Sequence, residues 1–187
     1  HWTYTPVPGT YFLRSIVFGR DGRLWAAGSG ELGWFTRTPD LRWEFHSLRA
    51  FLPKEFAGFD EAWRVFPDDE GATFITSDSI LRWNGTSFKG WPKAGTRRLF
   101  SGKVGDMVFV HYLPEGLYTM EAGEPRLFIA HQILGNAAVL SMERLGDRWL
   151  LGTAHAHSLY ERPGFVRADA GRYMVRRSDA TAGETAR

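Results

Sequence analysis

Leu13-Arg-Ser-Ile-Val-Phe-Gly-Arg-Asp-Gly-Arg-Leu-Trp-Ala-Ala-Gly-Ser-Gly-Glu-Leu-Gly-Trp-Phe35 is the stretch that decides the fold. Three apolar runs of strand length are parted by Gly19-Arg-Asp-Gly22 and Gly28-Ser-Gly30, giving strand, tight turn, strand, turn, strand. The Asp-Gly pair has a physical reason. A two-residue hairpin needs positive φ at its central positions, which Gly and Asp tolerate best.

The same outline returns three times. Ala62–Phe66, the turn Asp68-Asp-Glu-Gly71, Ala72–Thr76 and Ile80–Trp83 form a second unit. Arg98–Ser101, Gly105-Asp106, Met107–Val110 and Gly116–Met120 form a third, and Val139–Met142, Gly146-Asp147, Arg148–Leu151 and Ser158–Tyr160 a fourth. Trp43–Leu48, Ser87–Trp91, Arg126–Ile129 and the weaker Phe165-Val166 supply a fourth strand to each. The turn glycines Gly22, Gly71, Gly105 and Gly146 are 49, 34 and 41 residues apart, around the period of four-stranded propeller blades. The fold class expected is therefore all-β: a β-propeller of about four consecutive four-stranded antiparallel blades, part of a larger ring. An immunoglobulin-like sandwich has short strands too, but gives no recurring unit.

The expected organisation is blades over 1–165, with units near 13–48, 62–91, 98–129 and 138–166. An inter-blade insertion occupies 49–61, and a polar tail, disordered or a fragment edge, occupies 167–187. The insertion carries Phe51, Phe56 and Phe59, which need cover and are expected to pack on the propeller. Trp25, Phe74, Phe109 and Trp149 recur in the second strands, and Trp34, Trp83, Tyr118 and Tyr160 in or just beyond the third. A binding site needs an aromatic in one place, whereas every blade needs one between itself and its neighbour, so these eight are assigned to packing. Trp2, Trp63 and Trp91 lie outside that set.

Composition narrows the function. The 187 residues are 43% hydrophobic and 15% aromatic, far from disordered chains. Lys and Arg number 23 against 21 Asp and Glu, and the stretch after Glu161 is net +3, leaving the body near neutral. Basic residues interleaved with acids do not make a phosphate-binding stripe, so no nucleic-acid partner is expected. The chain has no cysteine, which removes disulfides, thiol nucleophiles and thiolate metal sites. No run approaches the ~20 apolar residues of a membrane span, so this segment is expected to make no membrane contact.

The stretch Leu13–Phe35, with Ala62-Trp-Arg-Val-Phe66 and Ser79-Ile-Leu-Arg-Trp-Asn-Gly85, resembles the two-component regulator propeller repeats. The likeness runs in outline from residue 10 to 160. It departs where Gly-Asp replaces the usual turn in the third and fourth units, and where His155-Ala-His157 stands in place of a glycine-rich turn. Such repeats build the extracytoplasmic sensor regions of bacterial hybrid histidine kinases and related membrane-bound regulators. The resemblance thus implies a ligand-sensing module, periplasmic or extracytoplasmic, within a membrane-anchored parent that could carry a kinase and dimerise.

Catalytic constellations are hard to find. His155 and His157 share one side of a strand but lack a third ligand, so no metal is expected. Asp68, Asp69 and Glu70 read as a solvated turn, and Glu31, Asp60 and Glu61 do not by spacing form a carboxylate pair facing across a bond. No Gly-x-Ser-x-Gly elbow and no phosphate loop leading into a helix occurs. The expectation is a non-catalytic chain without cofactor, binding a small molecule or oligosaccharide. In a propeller the loops from second to third strand, and from fourth strand to the next blade, meet on one face. That geometry nominates Arg14, Glu31, Trp63, Arg64, Asp78, Glu115 and His155 as ligand contacts. A propeller-based lyase or hydrolase, or a protein-binding scaffold using the phenylalanine insertion, remain the alternatives.

Overall fold

The computed structural model describes residues 4–93, 97–135, 137–145 and 148–153, together with the backbone of strands Phe165–Ala168 and Tyr173–Arg177. It is all-β: four antiparallel four-stranded sheets in a propeller-like arrangement of blades. The first blade is β1 (Leu13–Phe18), β2 (Leu24–Gly28), β3 (Glu31–Arg37) and β4 (Trp43–Ser47). The second is β5 (Ala62–Asp68), β6 (Gly71–Thr76), β7 (Ser79–Trp83) and β8 (Phe88–Pro92). The third is β9 (Arg97–Val104), β10 (Met107–Leu113), β11 (Gly116–Glu121) and β12 (Glu124–Ala130). In the fourth, β13 (Val139–Leu145), β14 (Arg148–Thr153), β15 (Phe165–Ala168) and β16 (Tyr173–Arg177) run in the spatial order 13-14-16-15.

Two compact units result, His1–Arg97 with Ala122–Pro125, and Arg98–Glu121 with Arg126–Arg187. In the first, Trp25, Leu32 and Leu48 of one blade close against Val65, Phe74 and Trp83 of the next. In the second, Phe109 and Leu117 close against Met142, Trp149 and Leu151. Each layer centres on an edge-on ring pair, Trp25–Phe74 at 6.0 Å and Phe109–Trp149 at 5.2 Å between centroids. Such tilted contacts place the positive edge of one ring on the negative face of another.

The register corrects the alignment that sequence suggests. One bulge recurs in the first strand of three blades, between Leu13 and Ser15, Ala62 and Arg64, and Val139 and Ser141. Counting from it, Trp25 is equivalent to Thr73 and Leu150, whereas Phe74 is equivalent to Ala26 and Leu151. Trp25 and Phe74 therefore occupy opposite faces of their own sheets. That is why they can meet in the layer between them. The second-strand aromatics are core as expected, with Trp25, Phe74, Phe109 and Trp149 all buried. The third-strand set does not repeat: Trp34 pairs with Trp25, while Phe74 pairs with Leu81 and Phe109 with Thr119. Tyr160 and Trp2 lie outside the described residues.

Turns and insertion also differ in detail. Pairs Asp68↔Gly71 and Leu145↔Arg148 bracket two residues each, but Phe18↔Leu24 brackets five, with Gly22 at φ +77°. The insertion forms two 3-10 turns, Arg49–Phe51 and Lys54–Phe56. Phe56 and Phe59 join the first core, and a methyl group at Gly90 would overlap the Phe56 ring, so Gly90 makes room for the insertion. Phe51 leans on Trp83 and is 56% exposed, unlike its two neighbours in the insertion. Strand β16 falls within 167–187, where the sequence reading has a polar tail; its Met174 and Val175 backbone pairs with Leu151 and Leu150.

In the second unit His111 is fully buried on β10, and its Nδ1 accepts the Val139 N–H at 3.2 Å, joining β10 to the start of β13. Only a neutral imidazole can accept there. Burial, and then the nearby His131, lower its pKa from 6.5 to about 4. The unfolded chain therefore takes up a proton that the folded one refuses, and stability is lost as pH falls from 6.5 toward 4. Thermal melts between pH 6.5 and 5 should show a decline approaching about 1.4 kcal/mol per pH unit, absent in His111→Leu. Trp25→Ala should cost roughly 3–5 kcal/mol in a urea titration at neutral pH.

Candidate functional site

A bulge places one more residue on a strand than its partner can match, and turns that side chain away from the ladder. The extra residues in this chain are Arg14, Trp63 and Leu140. In the first unit two of them meet: the Arg14 guanidinium lies over the Trp63 ring at 4.9 Å and over Phe12 at 5.4 Å. Arg14 also forks onto Glu61, Nε to Oε2 at 3.0 Å and Nη2 to Oε1 at 3.2 Å. Ser29 Oγ donates to the same carboxylate at 2.8 Å, and Trp63 Nε1 donates to Ser77 Oγ at 2.9 Å. The Arg14 bond holds the Glu61 carboxyl below the usual range, against a smaller upward pull from burial.

Backbone contacts bring the two loop types onto one face. Ser29 and Glu61 form an isolated bridge, Gly30 N–H donates to Asp60 O at 2.7 Å, and Ser77 N–H donates to Glu61 O at 3.1 Å. The second-to-third strand loops of both blades thus converge on the junction where the insertion enters β5. A cleft of about 330 Å³ opens beside it, lined by Tyr11, Ser29, Arg49, Phe59 and Asp60 among others. Tyr11 is 91% exposed, so its ring is available to a flat ligand surface. Arg49 props the wall by donating to the carbonyls of Gly30 and Ala57 and by lying over Phe59.

Of the seven nominated residues, Arg14 and Trp63 fall at this site. Glu31 is buried at the start of β3, where Oε1 accepts from Leu32 N–H and Ser47 Oγ at 2.9 and 2.7 Å; that oxygen fastens β4 to β3. Asp78 accepts from Thr76 and Ser79 hydroxyls inside its own turn. Arg64 is an exposed ladder residue paired with Ile75. Glu115 lies in the second unit, where it accepts the Tyr118 hydroxyl at 2.5 Å; burial and that bond raise the Tyr118 pKa. His155 and His157 lie outside the described residues. Glu61, Ser29 and Ser77, which hold Arg14 and Trp63 in place, were not among the seven. The signal was Ala62-Trp-Arg aligned on Leu13-Arg-Ser, which places an acid just ahead of the second bulge.

The acidic turn has a structural role. Burial raises the Asp68 pKa, but the Arg82 fork at 2.7 and 2.8 Å and the amides of Glu70 and Gly71 outweigh it, leaving it lowered. Among the described residues no group of three or more His, Asp or Glu could hold a metal ion, and no helix is long and apolar enough to cross a membrane. The site presents a fixed ion pair, hydroxyls and aromatic faces beside a shallow cleft.

No protein-family model matches the sequence, and no curated protein does either. Among solved structures, the chain is similar to the extracellular domain of a B. thetaiotaomicron protein described as a one-component system, BT4673, with a TM-score of 0.56 and 16% identity. The match covers 89% of this chain and 20% of that one, so the chain spans about a fifth of its length. At this identity the likeness concerns the fold.

Because Arg14 and Glu61 are partly exposed, their pair contributes little to stability. Glu61→Gln should lower the unfolding free energy by less than about 1 kcal/mol in urea. Trp63→Ala should cost more, about 2–4 kcal/mol, because it removes a half-buried ring.

Proposed function

We propose that this chain is a non-catalytic, ligand-sensing propeller segment of a bacterial signal-transduction receptor of the two-component type, working outside the cytoplasm. The observation that carries the reading is the convergence of bulge-aimed Arg14 and Trp63, held by Glu61, beside the cleft of Tyr11 and Asp60. Recognition loops on a rigid β scaffold are how such folds bind. The likeness to the extracellular domain of a protein described as a one-component system supports the sensor role and the extracytoplasmic location. The repeat resemblance points the same way.

The ligand class that suits the site is an oligosaccharide. Sugar rings present apolar faces to aromatic rings and hydroxyls to carboxylates, and the cleft offers Tyr11 beside Asp60 and Ser29. Neither a metal nor a cofactor is needed for this chemistry. The parent would supply the output domain, and with it any kinase activity or dimerisation.

Calorimetry against a panel of neutral and acidic oligosaccharides, with product release followed in parallel, tests the reading. One class should bind without turnover, and Tyr11→Ala or Asp60→Ala should weaken binding about tenfold or more, roughly 1.4 kcal/mol. Turnover that disappears in Asp60→Ala or Glu61→Gln would replace the sensor by a carbohydrate-active enzyme.

A further inference from the structure

The charges beside the cleft divide into those that have partners and one that does not. Two charged residues line it, Arg49 and Asp60, and both belong to the first compact unit. Arg49 is committed: Nη1 donates to the Gly30 carbonyl, Nη2 to the Ala57 carbonyl at 3.1 Å, and the guanidinium lies over Phe59. Arg14, across the Ser29–Glu61 bridge, is forked onto Glu61. An acidic ligand entering here would have to draw a guanidinium away from a partner it already holds.

Asp60 is the opposite case. Its backbone is fixed, because its carbonyl accepts the Gly30 N–H at 2.7 Å and the adjoining Phe59 is buried in the core. Its side chain is exposed, and among the described residues the carboxylate accepts no hydrogen bond and pairs with no cation. A second carboxylate stands behind the rim. A methyl group at Gly9, which lines the cleft, would lie 3.8 Å from Glu31 Oε2, and the donors to Glu31, the Leu32 amide and the Ser47 hydroxyl, are uncharged. The rim at Gly9 and Asp60 is therefore negative, and Tyr11 on the same lining adds an open ring whose faces carry partial negative charge.

On the oligosaccharide reading above, from which this follows, we propose that the sugar this cleft selects is an amino sugar, its ammonium held by the Asp60 carboxylate and the face of the Tyr11 ring. An ammonium has three donors and no acceptor, so it suits a place that offers a carboxylate and π density but no uncommitted cation. Its charge-assisted bond to a carboxylate is roughly twice as strong as the bond from a sugar hydroxyl. The amine, and not the hydroxyls, decides which sugar is preferred.

Calorimetry with a chito-oligosaccharide, its N-acetylated counterpart and an oligogalacturonate of equal length tests this, in slightly acidic buffer where the free amines are charged. The chito-oligosaccharide should bind about fivefold or more tighter than the acetylated sugar, and the oligogalacturonate more weakly than either. That advantage should shrink with added salt, and vanish in Asp60→Asn while the variant unfolds at the same urea concentration and still binds the acetylated sugar. Equal binding of the acetylated sugar, tighter binding of the oligogalacturonate, or an advantage indifferent to salt and to Asp60→Asn overturns the amino-sugar assignment alone. Failure of all three sugars to bind overturns the oligosaccharide reading with it.

Discussion

A four-stranded sheet with apolar residues on both faces cannot stand in water alone, and the edge-on meeting of Trp25 with Phe74 resolves this for the first pair of blades. Both rings are essentially without solvent contact, and the residues around them come from two sheets and the insertion. The contact requires the two aromatics to lie on opposite faces of equivalent strands. That offset sets the order of blades, because a sheet offering a forward ring must be followed by one offering a receptive face. Phe109 and Trp149 repeat the arrangement in the second unit.

The candidate site depends on the same registration. The bulge that shifts the first strand by one residue keeps Val65 and Met142 in their layers, and it releases Trp63 and Leu140 from the ladder. At the first blade it releases Arg14, which then lies over Trp63 and forks onto Glu61. Core and site are thus two outcomes of one backbone irregularity. The insertion adds a wall to the cleft because Phe56 and Phe59 are anchored in the core, which holds Asp60 at its rim.

The strands of the first three units, the first hairpin of the fourth and the burial of the second-strand aromatics were legible in the sequence, since each rests on local alternation and on turn residues that report themselves, whereas β16 lies where the sequence reads as a polar tail. Register was not legible. Aligning Trp25 with Phe74 by residue type looked natural, but the five-residue connection at Gly19–Arg23 absorbs extra length that a two-residue turn does not, and the true match is to Thr73. Among the seven nominated residues, Arg14 and Trp63 come together at the candidate site, as the loop geometry of a propeller suggests. Glu31 and Asp78 instead satisfy neighbouring hydroxyls and, for Glu31, a backbone amide, which sequence alone does not distinguish from a carboxylate free for a ligand. Glu61 was passed over because its partner Arg14 is 47 residues away, and no local pattern reports such a pair.

Arg14, Trp63 and Leu140 are a cation, an indole and an aliphatic chain at one geometric address. A bulged residue has no cross-strand mate whose size or polarity it must match, so its replacement leaves the pairing of both strands intact. Mutation at these three addresses therefore spares the ladder, and its cost is set by what the side chain itself buries, more for half-buried Trp63 than for exposed Arg14 or Leu140. Charge and shape can vary there while the rest of the chain remains under packing constraint, so the surface of such a blade is altered by single substitutions instead of by rebuilding a loop.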